Sequence, residues 1–321
     1  MKTIFGIKET PLGLNWPVVT VGGFDGVHRG HQKIITKVVT LARQKGGEAV
    51  VLTFATHPKS LVSRRPRVIT SLEHKLLLFE RLGVDLTVVL EFSEVEGMSA
   101  EDFIKRVVAG WLGVKAWVMG FNFAFGKDRK GDFTLASNLS SQYGYEVHSC
   151  LAIKYKQEII SSTRIRETIL RGELEKAKGM LGRPVSLLGT VIKGSGRGRN
   201  LGYPTANLDL HHEIVPPKGV YATLVRLGGK DYPSLTSIGS RPTFEPPGSE
   251  EVTEVYILDL DQALYGQVLE VHFLFKLRDE IKFESPQALK AQMDRDKEDM
   301  LKSLGKKTLT RVGFSPIMLL L

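Results

Sequence analysis

The chain has 321 residues, 42% hydrophobic and 25% charged, with 44 basic against 35 acidic side chains and a formal net charge of +9. These proportions exclude a disordered or collagen-like chain, and the length suits two domains better than one at about 100–200 residues each. Cys150 is the only cysteine, which excludes an internal disulfide and suits a reducing compartment.

The opening M-K-T-I-F-G-I-K-E-T has neither the sustained apolar core nor the small-residue cleavage site of a secretion signal, so the cytoplasm is the expected location. From Val18 to about Val147, apolar strand-like runs alternate with helical periodicity. Strands are expected at Val18–Gly22, Ala49–Phe54, Leu86–Leu90, Ala116–Met119 and Glu146–Ser149, with helices at His28–Lys45, Ser71–Leu82 and Ser99–Gly110 between them. That alternation predicts an α/β fold, a doubly wound parallel sheet of Rossmann-like type, whose ligand sits beyond the carboxyl ends of the strands.

Val21 to His31 reads V-G-G-F-D-G-V-H-R-G-H between the first strand and the first helix. Gly22, Gly23 and Gly26 allow backbone N–H groups to approach an anion closely, and the helix start adds unsatisfied donors with a partial positive charge. His28 and His31, three residues apart, share a helix face. A nucleotide phosphate is the expected guest, with a metal site or plain surface as the alternatives for the histidines. Metal is disfavoured because no HExxH or CxxC pattern supplies further ligands. The glycine spacing is neither the dinucleotide G-x-G-x-x-G nor the Walker pattern. Gly120 to Lys127, G-F-N-F-A-F-G-K, also follows a strand and would open on the same edge.

Farther on, Ser161, Ser162 or Thr163 would cap a helix, with Glu167 near enough to support the cap, and periodicity carries it through Ile169, Leu170 and Leu174 to Leu181. Arg164 and Arg166 in its first turn are electrostatically out of place, since that end prefers negative charge. An anion nearby would resolve this. Gly182-Arg183-Pro184 stops the helix, and the domain boundary is expected here, giving domains 1–183 and 184–321.

Beyond Pro184 the texture is β. Leu187–Ile192, Gly219–Val225, Leu235–Ile238, Val252–Leu258 and Val268–Phe275 read as strands of a small antiparallel barrel, followed by one helix from Ser285 to about Leu304 with Pro286 at its first position. Gly194 to Asn207 packs glycines and Arg197 and Arg199 before P-T-A-N, which suits a polyphosphate. Thr205 and Asn207, two apart in an extended segment, project to one face and can share in holding Mg²⁺ through oxygen. Other basic clusters are Arg64-Arg65-Pro66-Arg67 and Lys127 to Lys130; most such clusters are solvated loops, and those next to glycine-rich segments are the better anion candidates. The net charge alone is compatible with nucleic acid, but no basic stripe interleaved with aromatics is present, so no nucleic-acid partner is expected. The ending P-I-M-L-L-L is too short to span a bilayer, so no membrane partner is expected either.

Eight motifs in register resemble the bacterial bifunctional riboflavin kinase/FAD synthetase family from about Val18 to about Leu304. They are Gly22 to His31, Gly120 to Asp132, Ile160 to Arg166, Gly196 to Asn207, Ile238 to Phe244 (I-G-S-R-P-T-F), Glu254 to Asp259 (E-V-Y-I-L-D), Leu264 to Gly266 and Arg278 to Phe283. The resemblance implies two activities. Its N-terminal domain would join FMN to the adenylyl group of ATP, giving FAD and pyrophosphate. Its C-terminal domain, of riboflavin kinase type, would transfer the ATP γ-phosphate to riboflavin with Mg²⁺.

Carried over by position, His28 and His31 would contact the ATP phosphates, within a cradle of Gly22, Phe24, Asp25 and Gly26. Ser162, Thr163 and Arg166 would hold the pyrophosphate, and Asn122 would meet nucleotide or flavin phosphate. In the kinase, Thr205 and Asn207 would be the Mg-ATP ligands, with Gly194, Gly196, Arg197, Gly198, Arg199 and Gly202 over the phosphates. Glu254 would be the general base, and Arg278 and Phe283 would close around the flavin. This chain departs from the family at Thr53-Phe54-Ala55-Thr56-His57-Pro58, which lacks the usual acidic residue and proline, and at Ala124, where many members carry arginine. The alternatives are a chain that keeps only the kinase step and, on charge alone, a nucleic-acid binder.

Overall fold

The computed structural model describes residues 1–8, 12–55, 68–194, 202–240, 251–260 and 262–309. It forms two compact units, Met1–Arg164 and Ile165–Leu321, so the division along the chain falls inside a helix. Arg64 to Arg67, His57, Gly196 to Arg199 and the leucine-rich ending lie outside the described residues.

In the first unit, six parallel strands lie in the order β1-β4-β3-β2-β5-β6. They are β1 (Lys2–Phe5), β2 (Val18–Val21), β3 (Ala49–Phe54), β4 (Leu86–Leu90), β5 (Ala116–Gly120) and β6 (Glu146–Cys150). The central strands are buried on both faces, which is why they read as unbroken apolar runs. On one face Val18, Ala49, Val51, Ala116 and Val118 meet the buried stripes of α1 (Arg29–Gln44) and α2 (Leu72–Arg81). On the other, Val19, Val50, Leu52, Val88 and Trp117 pack against α3 (Ala100–Asp102), its π-helical continuation Phe103–Trp111, and α4 (Phe133–Tyr143).

The sheet has the doubly wound parallel order expected. The chain winds outward from β2 through β3 to β4, then returns to place β5 on the other side of β2. Ligands of such sheets bind in the crevice where the winding reverses, here the carboxyl ends of β2 and β5. The two motif-bearing turns leave the sheet at those two ends.

The differences from expectation have local causes. Strand β1 is a short edge strand whose place comes from pairing with β4 rather than from any pattern of its own. Helix α4 is serine-rich and weakly amphipathic, but Asp132 caps it by accepting from Leu135 N, and Gly144 closes it in the left-handed conformation. The single helix expected from Ser161 to Leu181 is two, α5 (Ser162–Leu170) and α6 (Leu174–Leu181), because Gly172 turns the chain at φ +77°. Ser161 caps α5 by accepting from Arg164 N at 3.3 Å. Glu167 does not join that cap; it accepts from Arg171 instead. A hairpin of β7 (Lys154–Tyr155) and β8 (Glu158–Ile159) delivers the chain to this cap.

The second unit is the expected antiparallel barrel, closed in the order β10-β13-β12-β11-β14-β9. Its strands are β9 (Ser186–Ile192), β10 (Thr205–Asp209), β11 (Gly219–Leu227), β12 (Lys230–Ser240), β13 (Glu251–Ile257) and β14 (Val268–Arg278). Closure pairs every strand on both sides and leaves no edge. Helix α7 (Pro286–Leu309), capped by Ser285 and interrupted at Gly305, lays Met300 and Leu304 on Ala222, Leu235 and Leu258.

Gly126, at the end of the turn after β5, has φ +72°, and a Cβ there would lie 2.6 Å from Ala100 Cα. Replacing Gly126 with Ala should destabilise the first unit by on the order of 3 kcal/mol through backbone strain and overpacking. Trp16, Trp111 and Trp117, the chain's three tryptophans, all lie in this unit. A urea titration followed by tryptophan fluorescence would therefore report the loss.

Candidate active sites

The turn after β2 is held in a conformation that its sequence does not favour. Phe24 and Val27 have φ of +50° and +39°, each costing about 1–3 kcal/mol for a non-glycine residue. Asp25 supplies much of the restraint. Its Oδ1 accepts from Ile69 N at 2.8 Å and Thr70 N at 3.1 Å, and Thr70 Oγ1 accepts from Gly26 N at 2.9 Å. Asp25 is 3% exposed, so this carboxylate, expected among the ligand contacts, is engaged in tying the turn to the approach of α2. The Asp25 carbonyl accepts from Ser162 Oγ at 2.9 Å, which brings the start of α5 to the same turn. Gly22 closes on Leu52 through its own N–H at 3.0 Å, with the Phe24 ring against it.

His28 is the N-cap of α1, and its Nδ1 accepts from His31 N at 3.3 Å. With Nδ1 accepting, Nε2 is left to carry the ring hydrogen. The two rings stack with centroids 3.6 Å apart and planes 19° apart. Phe24 meets the edge of the pair at 5.2 Å from His31. Burial, the neighbouring His28 and then Lys75 hold the His31 pKa well below 6.5, so the ring is neutral at pH 7. Its Nδ1 is enclosed and has no hydrogen-bond partner among the described residues. A polar atom so placed at a helix N-terminus fits an anionic guest whose oxygen or bound water would complete it.

Lys75, which drew no notice in the sequence, lies beneath this turn. Its Nζ donates to Phe54 O at 3.1 Å, Gly23 O at 3.3 Å and Thr53 Oγ1 at 3.5 Å. Burial pushes its pKa down from 10.5 to about 8, against the opposing pull of Asp25 and Glu73. Keeping this ammonium charged at pH 7 costs the fold on the order of 3 kcal/mol. In sequence it was one more polar residue in an amphipathic helix.

The remaining first-unit candidates sit at the rim. Asn122 is exposed beside Phe121 after β5, while Phe123 and Phe125 turn inward onto Trp117. Phe125 and Gly131 bridge the base of that loop, and Lys127 N donates to Met98 O at 2.7 Å. Thr163 is exposed in the first turn of α5. Arg164 ion-pairs with Glu158 of β8, so one of the two misplaced cations is answered within the chain. Arg166 belongs to the second unit and, four residues after Ser162, shares its helix face.

In the second unit, the register pairs Asn207 with Glu254 and Thr205 with Tyr256. Residues two apart share a face, so Thr205, Asn207, Glu254 and Tyr256 form one line across two strands. Asn207 is 6% exposed, and Thr205 and Glu254 are half-buried. Gly194 lies against the Asn207 amide so closely that any Cβ would collide with it. Gly202 is exposed just before Tyr203, whose ring meets Tyr256 edge-on at 4.8 Å and whose hydroxyl donates to Asp294 of α7. Gly196, Arg197, Gly198 and Arg199 lie outside the described residues.

Arg278 and Phe283 do come together, with the guanidinium 5.7 Å from the ring centroid. The guanidinium also grips Asp296 of α7 through Nε at 3.0 Å and Nη2 at 2.8 Å, and Gln292 supports the same carboxylate at 2.9 Å. Neither Asp294 nor Asp296 was singled out in the sequence, where both look like the solvated face of an acidic helix. Among the described residues, no group of three or more His, Cys, Asp or Glu could hold a metal ion.

Two family models match the chain, FAD synthetase over residues 14–164 and riboflavin kinase over residues 181–304. The bifunctional riboflavin kinase/FMN adenylyltransferase of Haemophilus influenzae is 35% identical over 302 residues, covering 93% of this chain and 97% of that one. The protein of the same description from Bacillus subtilis is 37% identical over 292 residues, covering 89% and 92%, and that from Escherichia coli K12 is 35% identical over 283, covering 87% and 90%. A Streptococcus pneumoniae crystal structure described as a macrolide-efflux protein superposes with a TM-score of 0.78 at 32% identity, covering 94% of this chain and 99% of that one. No helix among the described residues is long and apolar enough to cross a membrane.

Asp296 is 4% exposed and faces a mostly buried guanidinium. Asp296→Ala should therefore destabilise the second unit by about 3 kcal/mol, the usual consequence of stranding one member of a buried pair. Urea unfolding followed by circular dichroism would measure it, and Asp296→Asn should recover part of the loss.

Proposed function

Because the chain belongs to the family of bifunctional riboflavin kinase/FMN adenylyltransferases, we propose how its two constellations divide the work. The enzyme phosphorylates riboflavin with ATP to FMN and adenylylates FMN with a second ATP to FAD and pyrophosphate. What supports the assignment is that His28 and His31 follow β2 at the reversal point of the parallel sheet, while Asn207 pairs with Glu254 on the β10–β13 ladder.

At the first cluster an FMN phosphate oxygen attacks the α-phosphorus of ATP. The new P–O bond forms as the bond to the bridging oxygen of the β-phosphate breaks, and pyrophosphate leaves. His28, with Nδ1 engaged by His31 N, presents Nε2–H to a phosphate oxygen, and the α1 N-terminus adds its dipole. Neutral His31 stacks behind it. These are fixed donors aimed at developing charge, and they need no covalent intermediate. Ser162, Thr163 and Arg166, from the first turns of one helix, hold the pyrophosphate, and Asn122 contacts the phosphate of the incoming flavin nucleotide. Because α5 carries these residues, we assign it to the adenylyltransferase and set the functional border at 183/184.

At the second cluster Glu254 accepts the proton of the ribityl hydroxyl as its oxygen attacks the γ-phosphorus and ADP departs. Thr205 and Asn207 present hard oxygen donors on one face, and Gly194 leaves the Asn207 amide its room; this donor set fits Mg²⁺ carried by ATP. When bound, the ion would neutralise charge on the β- and γ-phosphates. Gly202 borders those phosphates, while Arg278, fastened to Asp296 of α7, and Phe283 beside it border the flavin. We place the enzyme in the cytoplasm, where ATP and a reduced Cys150 are both at hand.

The separate sites are tested by the two half-reactions. His28→Ala should lower FMN adenylylation by about a hundredfold or more and leave riboflavin phosphorylation intact. Asn207→Asp should do the reverse. Comparable loss of both activities in either variant would refute the assignment.

A further inference from the structure

We propose that Lys75 is a positioning residue for adenylyl transfer: its ammonium, sealed beneath the Gly22–His31 turn, fixes Gly23 and sets a positive charge below the ATP phosphates. The inference rests on the reading of that turn as an ATP site.

Lys75 is 6% exposed and reaches from α2 to the carboxyl edge of the sheet, where β2 and β3 end. Its three acceptors are Gly23 O, Phe54 O and Thr53 Oγ1. An ammonium has three donors, so none remains for a phosphate. Lys75 thus acts through the turn rather than on the substrate. Gly23 lies between Gly22, bonded to Leu52, and strained Phe24, so its carbonyl sets the direction in which the following N–H groups face.

The acceptors also argue for function over stability. None of the three is a carboxylate, so no direct ion pair offsets the cost of burying the ammonium, and folding alone does not account for a charge here. Here the charge is kept at the end of the sheet where anions bind.

Among the described residues, the charged and titratable groups around it are few. Asp25 faces it from the turn, with Oδ1 already accepting from Ile69 and Thr70; Glu73 lies on its own helix; His31, backed by His28, faces it from α1. Strand β3, A-V-V-L-T-F, contributes no charge. Burial outweighs the two acids and sets the lysine to lose its proton near pH 8. Below that pH the charge and all three donors are present. As pH rises through it, one donor and the charge are lost, and ATP should bind less well.

The test measures kcat/KM for ATP in FMN adenylylation from about pH 6.5 to about pH 9.5, using the full chain, with riboflavin phosphorylation by the same preparation as control. The wild type should show a falling limb near pH 8. Glu73→Gln removes an exposed acid that raises the lysine pKa, so its limb should move to lower pH. Lys75→Met should lose the limb, with kcat/KM about a hundredfold lower at neutral pH, mainly through KM, and riboflavin phosphorylation unchanged. A purely structural role would reduce the amount of active enzyme and leave the shape of the profile alone. If Lys75→Met fails to fold, the wild-type and Glu73→Gln profiles decide.

His28→Ala, run in parallel, separates the two readings. Unimpaired adenylylation in His28→Ala overturns the ATP assignment of the turn. Impairment there overturns only the role of Lys75 if the wild type lacks the limb, Glu73→Gln leaves it in place, or Lys75→Met retains it.

Discussion

The carboxylate of Asp25 holds the first unit's functional edge together. Parallel strands end in backbone groups with no ladder partner, and buried polar groups left unpaired are costly. Asp25 answers two buried backbone groups on the approach to α2, Ile69 N and Thr70 N, while its own carbonyl takes Ser162 Oγ. One residue thereby connects the end of β2, the approach to α2 and the start of α5. The strained φ at Phe24 and Val27 persists because these bonds over-determine the turn. His28 and His31 stack only because the turn hands α1 its first residue in that geometry.

The second unit meets the same demand by closure. Six strands pair around the barrel, and the buried Glu213 carboxylate accepts from Leu188 N of β9 at 3.0 Å. Polar side chains within it pair with each other: Thr223 Oγ1 lies 2.8 Å from both Ser234 Oγ and Thr236 Oγ1. The outer line of Thr205, Asn207 and Glu254 inherits its alignment from this closed register. Two aspartates of α7 then fasten its surroundings, Asp294 at Tyr203 and Asp296 at Arg278. In both units the candidate residues are held by backbone pairing first and by buried charge second.

Much of this was legible locally. The buried strands β2 to β5 are apolar runs bounded by glycine, and the helices between them carry Ser71 and Ser99 as caps. The glycine-histidine turn and the Thr205–Asn207 pair were readable because their chemistry depends on spacing of two or three residues. Less legible were elements whose cause is distant. Strand β1 exists through β4, and Gly172 splits a helix whose apolar period runs on across the break. Arg164 looked like an invitation to an anion until Glu158 was found beside it.

The amino-acid sequence by itself determined the fold classes of both units, the family, and the identities of the groups that can handle phosphate, because periodicity, turn chemistry and motif spacing are properties of neighbouring residues. Only the tertiary structure decided what those groups are free to do. It tied Asp25 to Ile69 and Thr70 and paired Arg278 with Asp296. It brought Glu254 opposite Asn207 and sealed Lys75 under Gly23. Each of these joins residues 18 or more apart in the chain, and hydrogen-bond partners at that separation are set by packing and strand register, which no local pattern encodes.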